Sequence, residues 1–303
     1  MTKSFLTARS CKRALLAGIL VASGCGTNPS HPRSGIECTS PAVTGFLPPP
    51  LEEASGLAIS EQHPGIFWMI EDHGQPLLHA VDSTGRILGQ VHVTGAQMSN
   101  WEDLALARCE SGTCLYIADI GDNLRRRGTI HIYRVTEPDP SSAATEPARE
   151  FTLRYPDAPH DAEALFVLPD ERLYVVTKGR SEPITVYRVP PLSQDTLVLE
   201  PVQHLSPSFV QLPDMVTGAS ATLDGVHIAL RTYRSVQVYT FESDTLKPLL
   251  AESVDLSGLH EPQGEGVGLR NDGVLFLNSE QGLFDDTARP PISRIACPFT
   301  PDA

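Results

Sequence analysis

The chain has 303 residues, 41% hydrophobic and 20% charged, enough for one large core or two ordinary ones. Its net charge of −14 excludes a general nucleic-acid binder, which needs a basic footprint. Amphipathic helical patterns are scarce, whereas short β-branched and aromatic runs alternate with Gly, Pro, Asp and Asn, as in an all-β protein.

The chain opens on Lys3, Arg9, Lys12 and Arg13, followed by the apolar run from Ala14 to Ala22, too short for a permanent membrane span and arranged as an export signal. The run ends on Ala22-Ser23-Gly24-Cys25, which resembles the lipobox of bacterial lipoproteins. That resemblance implies removal of residues 1–24 and lipid on Cys25, with ordinary signal cleavage and secretion as the alternative. Because Gly26 is not Asp, it also implies the outer rather than the inner membrane. Loss of the four basic residues takes the charge to −18, an acidic surface that collects cations. Residues 25–37 are rich in Pro, Ser and Gly and read as a flexible tether, so the folded domain is expected over 38–303.

From there one unit recurs five times. An apolar run leads through a turn to a second, and the pairs begin at Ser55, Glu102, Glu163, Thr217 and Glu265. A third run follows each pair, as in Thr129 to Val135 and Ile184 to Val189, and a more variable fourth at 86–93, 150–155, 198–205 and 249–256. Four antiparallel strands repeated in this way predict a β-propeller. The leading positions are spaced 47, 61, 54 and 48 residues apart. A sixth blade needs about 40 more, so five blades are expected, with six as the alternative. The last unit stops after its third strand at Cys297, and Cys38 to Phe46 offers the missing strand, which would close the ring without an open edge.

The cysteines agree with that closure. Cys11 leaves with the signal and Cys25 carries lipid, so four remain. Cys109 and Cys114 flank a four-residue turn and are expected to pair, leaving Cys38 to Cys297. Zinc is the rival use of four cysteines, but there is no close C-x-x-C pair and no suitably spaced His.

In a propeller the innermost strands start at one end of the central channel, where the second strands also end. The leading column Ser55, Glu102, Glu163, Thr217 and Glu265 should therefore converge on the axis. Three carboxylates so placed raise one another's pKa or take a counter-cation. Oxygen-only ligands favour Ca²⁺ over zinc or copper. Solvated strand starts, or a neighbouring cationic side chain, are the plainer alternatives.

The ordered series Ser, Glu, Glu, Thr, Glu, each followed by a short residue, resembles the calcium-activated nucleotidases, the apyrase family. The matching segments are Glu53-Ala54-Ser55-Gly56-Leu57, Trp101-Glu102-Asp103, Asp161-Ala162-Glu163-Ala164, Val216-Thr217-Gly218 and Gly264-Glu265-Gly266. The resemblance implies a five-bladed propeller with a central Ca²⁺. It departs from that family after the first and third units, at Glu71-Asp72-His73-Gly74 and Thr177-Lys178-Gly179-Arg180. The words Trp-Glu-Asp and Asp-Ile-Gly-Asp-Asn are also similar to those of uncharacterised bacterial propeller lipoproteins, which implies no chemistry.

Asp72, Asp119, Asp122, Asn123, Lys178, Arg231 and Glu280 are expected to rim the same end. Two functions follow. The first is a lipid-anchored, monomeric, calcium-binding scaffold that takes a small molecule or protein at its top face. The second is a calcium-dependent hydrolase of phosphorylated or ester small molecules. In that case Lys178 and Arg231 neutralise a phosphate while Asp72 or Asp119 orients or deprotonates water. Surface ion pairs and ordinary turn chemistry are the competing uses of these residues.

Overall fold

The structure is a computed structural model that describes residues 36–49, 51–192, 196–282 and 289–299. The signal segment, Cys25 and all of the tether before Ile36 lie outside the described residues.

The short β-branched runs form strands that pair into five separate sheets. The five innermost strands are Ala54–Ile59, Trp101–Cys109, Ala162–Val167, Val216–Ala221 and Gln263–Leu269. Each packs against the next, and the fifth packs against the first, so the ring closes. The chain is an all-β, five-bladed propeller. Each inner strand pairs antiparallel with its second strand, and the second with the third.

Apolar side chains on both faces of the blades meet their neighbours and divide the core into five clusters. Trp68 and Trp101 are fully buried together between blades one and two. Both aromatic N–H groups are satisfied, Trp68 by Glu137 at 3.0 Å and Trp101 by the Gln97 carbonyl at 3.1 Å, as burial of an indole demands.

Blade five is completed from the other end of the chain. Ala42–Phe46 pairs antiparallel with Pro291–Ala296, and the Cys38–Cys297 disulfide fixes that closure across 259 residues. Thr39 N donates to the Ala296 carbonyl at 2.8 Å beside it. Cys109–Cys114 spans the hairpin of blade two, as expected.

Two outer strands differ from expectation. Blade four ends on Thr245–Pro248 rather than on 249–256, because Ser243 and Asp244 both adopt positive φ (49° and 59°) and turn the chain back in two residues. Only Val254–Asp255 of the expected segment pairs, with Ser235 and Val236. The run beginning at 198 splits: Glu200–His204 completes blade three, while Thr196–Val198 adds a parallel fifth strand to blade two.

Candidate functional site

The leading column owes its position to an irregularity repeated in every blade. The pairing of each inner strand with its neighbour slips between Ala54 and Leu57, Trp101 and Asp103, Ala162 and Ala164, Val216 and Gly218, and Gly264 and Val267. The unpaired residues include Ser55, Glu102, Glu163, Thr217 and Glu265. A β-bulge lifts one residue out of the ladder and re-aims its side chain. Five bulges at one level make a ring in which all five side chains are buried, none more than 7% exposed. The short residue that follows is a packing requirement. A Cβ at Gly56 would collide with the backbone of Asp103 and Leu104, and one at Gly266 with the backbone of Ser55 and Leu57.

Polar contacts lock the ring. Ser55 Oγ donates to the Glu102 carbonyl at 2.5 Å, and Thr217 Oγ1 to the Glu265 carbonyl at 3.0 Å. Asp103, fully buried, accepts backbone N–H groups from three blades: Leu104 at 2.8 Å, Leu165 at 2.8 Å and Ala219 at 3.0 Å. Burial pushes its pKa up to about 8, against the pull of those three donors. Sequence reasoning placed Asp103 beside the column without giving it a role. Its signal was there, as an acid standing where the other repeats carry Gly or Ala.

The ring is strongly acidic. Burial, then the charges of Glu163 and Glu265, push the Glu102 carboxyl well above the usual carboxylate range. Glu265 rises for the same first reason, with Glu280 and Glu163 adding to it. Lys178, at the end of the second strand of blade three, supplies one positive charge. Its Nζ lies 2.7 Å from Glu163 Oε1. Burial lowers the lysine pKa, but Glu163, Tyr233 and Glu102 together outweigh it and hold the ammonium protonated. Asn100 donates to Glu102, and Gln263 to Glu265 at 2.8 Å.

Above the ring opens a cleft of about 1010 Å³. Ser55, Glu102, Glu163 and Glu265 form part of its floor, and Asp72, Asn123, Lys178 and Glu280 reach it as expected. Residues that the sequence did not single out complete it. Glu53, Tyr233 and Glu261 add to the polar wall, and Leu212, Pro213 and Met215 form an apolar lip, with Leu212 67% exposed. Glu53 precedes the first repeat, Tyr233 sits in the turn between the second and third strands of blade four, and the others come from loops between repeats, where no periodicity marks them.

Three expected rim residues do not line the cleft. Arg231 lies one residue short of its strand end, so its side chain runs between blades four and five. There Nη1 donates to the Gly266 and Asn278 carbonyls, both at 2.8 Å, and Nη2 pairs with Glu261 at 2.5 Å. Asp119 is 1% exposed and accepts from Asn100 N at 3.0 Å and Arg127 Nη1 at 2.9 Å. Asp122 shapes the following turn by accepting from Arg127 N at 2.7 Å. These three hold the scaffold together.

Among the described residues, one group of His, Cys, Asp and Glu brings three ligand atoms within 4.8 Å of one another, and it is Glu53, Asp72 and His73 on the rim rather than the ring glutamates. Burial, then the charges of Glu53 and Asp72, push Glu280 beside them up to about 8.

No protein family and no curated protein matches the chain. Solved propellers match in shape. The PQQ-bound aldose sugar dehydrogenase of Streptomyces coelicolor superposes with a TM-score of 0.53 at 12% identity, covering 88% of this chain and 100% of that one. The apo-form of the soluble aldose sugar dehydrogenase of Escherichia coli gives 0.50 at 10% identity, covering 86% and 100%. A glucose dehydrogenase gives 0.50 at 11% identity, covering 84% and 99%. At such identities the likeness reaches the fold alone, and it adds nothing to the resemblance to the nucleotidases.

Proposed function

We propose that the chain is an extracytoplasmic, calcium-binding propeller, held to the bacterial envelope by lipid on Cys25, whose cleft binds a small molecule or a protein partner. The observation that carries this reading is the bulge ring, which brings Ser55, Glu102, Glu163 and Glu265 to the floor of one cleft with the Lys178 ammonium beside Glu163. With the glutamates ionised, three negative charges face one positive charge in a buried setting, an arrangement that a divalent cation relieves. The donor set is oxygen only, and the Ser55 and Thr217 hydroxyls, though donating to carbonyls, keep lone pairs for a cation. A bound Ca²⁺ would supply positive charge to hold anionic or carbonyl groups of a ligand at the cleft floor. The apolar lip of Leu212, Pro213 and Met215 suits a ligand with an apolar portion.

Calcium should raise the thermal unfolding midpoint of the wild type and a chelator should lower it. The double variant Glu102→Gln/Glu265→Gln should lose that response, and an undiminished response in the double variant sinks the reading. For the anchor, Cys25→Ser should release the protein from membranes.

One observation favours the second reading, a calcium-dependent hydrolase of phosphorylated or ester small molecules. Glu280, held near neutrality on the cleft wall, suits proton transfer to or from water. Asp72 would orient that water, and Lys178 would stabilise developing negative charge. Turnover of phosphatase, nucleotidase or lactonase substrates that disappears with chelator and falls in Glu280→Gln supports it. Calcium-dependent stability with no turnover across such a panel rejects it.

A further inference from the structure

We propose that the rim of the cleft carries a second cation site, built by Glu53, Asp72, His73 and Glu280, for a divalent transition metal of the Zn²⁺ class. This site does not depend on calcium in the ring. The first three residues each offer a ligand atom within 4.8 Å of the others, a spread that small side-chain rotations close onto one ion.

The backbone fixes these residues from three sides. Gln281 N donates to the Glu52 carbonyl at 2.7 Å, tying the segment before the first inner strand to blade five. Asp72 N donates to the Glu53 carbonyl at 3.3 Å, and Trp101 N to the Asp72 carbonyl at 3.1 Å, tying it to blades one and two. Asp72 also contacts His73 Nδ1, which orients the ring. The neighbouring Glu71 is directed elsewhere, toward His79 Nε2 at 3.6 Å.

Glu280 is the independent sign of a missing partner. It is 7% exposed and lines the same cleft, and its strongest charged neighbours are the acids Glu53 and Asp72. Among the described residues no side chain donates to its carboxylate or forms an ion pair with it, and Lys178 is already engaged by Glu163. A buried acid that faces two more acids without a donor stays protonated or is joined to them by a cation, and a divalent metal would displace that proton. The imidazole separates this site from the ring. Nitrogen with carboxylates suits Zn²⁺ and related metals, whereas the oxygen-only ring suits Ca²⁺.

The test titrates Zn²⁺ into the metal-stripped full chain by calorimetry, in excess Ca²⁺ so that the ring does not compete. One Zn²⁺ per chain is expected. Because loss of even an outer partner of a metal site costs about 10–100-fold, His73→Ala and Asp72→Asn should each weaken binding by at least about tenfold. The ring variant Glu102→Gln should bind Zn²⁺ as the wild type does. With Co²⁺ as a probe, the visible spectrum should change in His73→Ala, which removes the nitrogen ligand. His73 is a mostly exposed side chain, so the variant should melt like the wild type and report on binding alone. Zn²⁺ binding that survives both rim substitutions, or no binding by the wild type, overturns the proposal. Neither outcome touches the calcium reading, which is decided by the response of the ring variants to Ca²⁺.

Discussion

Replacing Asp103 with Ala should cost the propeller a large part of its stability, although it removes no apolar side chain. Its carboxylate accepts the Leu165 and Ala219 N–H groups of blades three and four at 2.8 and 3.0 Å, besides that of Leu104 in its own strand. Truncation leaves both cross-blade N–H groups buried without an acceptor, which costs about 1–3 kcal/mol each, roughly 2–6 kcal/mol together. Against a typical total of about 5–15 kcal/mol that is a substantial fraction of the margin. Both cross-blade N–H groups bond one oxygen, Oδ2, so Asp103→Asn with its carbonyl oxygen in that place keeps both and turns its amide only toward Leu104 N, and it should recover most of the loss. Urea unfolding followed by circular dichroism measures both, provided the slope with denaturant is unchanged. A loss below about 1 kcal/mol for the Ala variant would mean that water in the channel replaces the carboxylate, and that the blades do not rely on it for docking.

Two further predictions concern the ring and its closure. Lys178→Met strips Glu163 of its 2.7 Å partner, and breaking a buried pair from one side costs about 3–5 kcal/mol. The same variant should bind Ca²⁺ more tightly if calcium occupies the ring, since the built-in competitor is gone; unchanged apo stability argues against the ion pair as described. Removing Cys38–Cys297 with two serines should cost about 5 kcal/mol by chain entropy, whereas removing Cys109–Cys114 should cost about 2 kcal/mol. The ratio comes from loop lengths of 259 and 5 residues, and equal losses in unfolding experiments would contradict the role of the first bond in closing the ring.

The repeat itself was legible in the sequence because each blade is a local object. Apolar runs of strand length, separated by turn residues at near-constant spacing, gave the strand count, the five blades and the column from Ser55 to Glu265. Cysteine arithmetic then gave both disulfides. Less local features were only partly readable. The outer strand of blade four was misplaced because a two-residue turn at Ser243-Asp244 decides it, without glycine to announce it.

What the sequence determined alone was which residues recur at the same place in each unit, since hydrophobic periodicity is written within a dozen neighbours. What the tertiary structure decided was where their side chains point and what they meet. Asp103 reaches across to blades three and four, and Arg231 runs between blades instead of into the cleft. Lys178 pairs with Glu163 in the ring, and Glu53 and His73 come together with the expected Asp72. Those outcomes depend on partners far away in sequence, and on burial that sets the strength of each charge, so no local pattern could encode them.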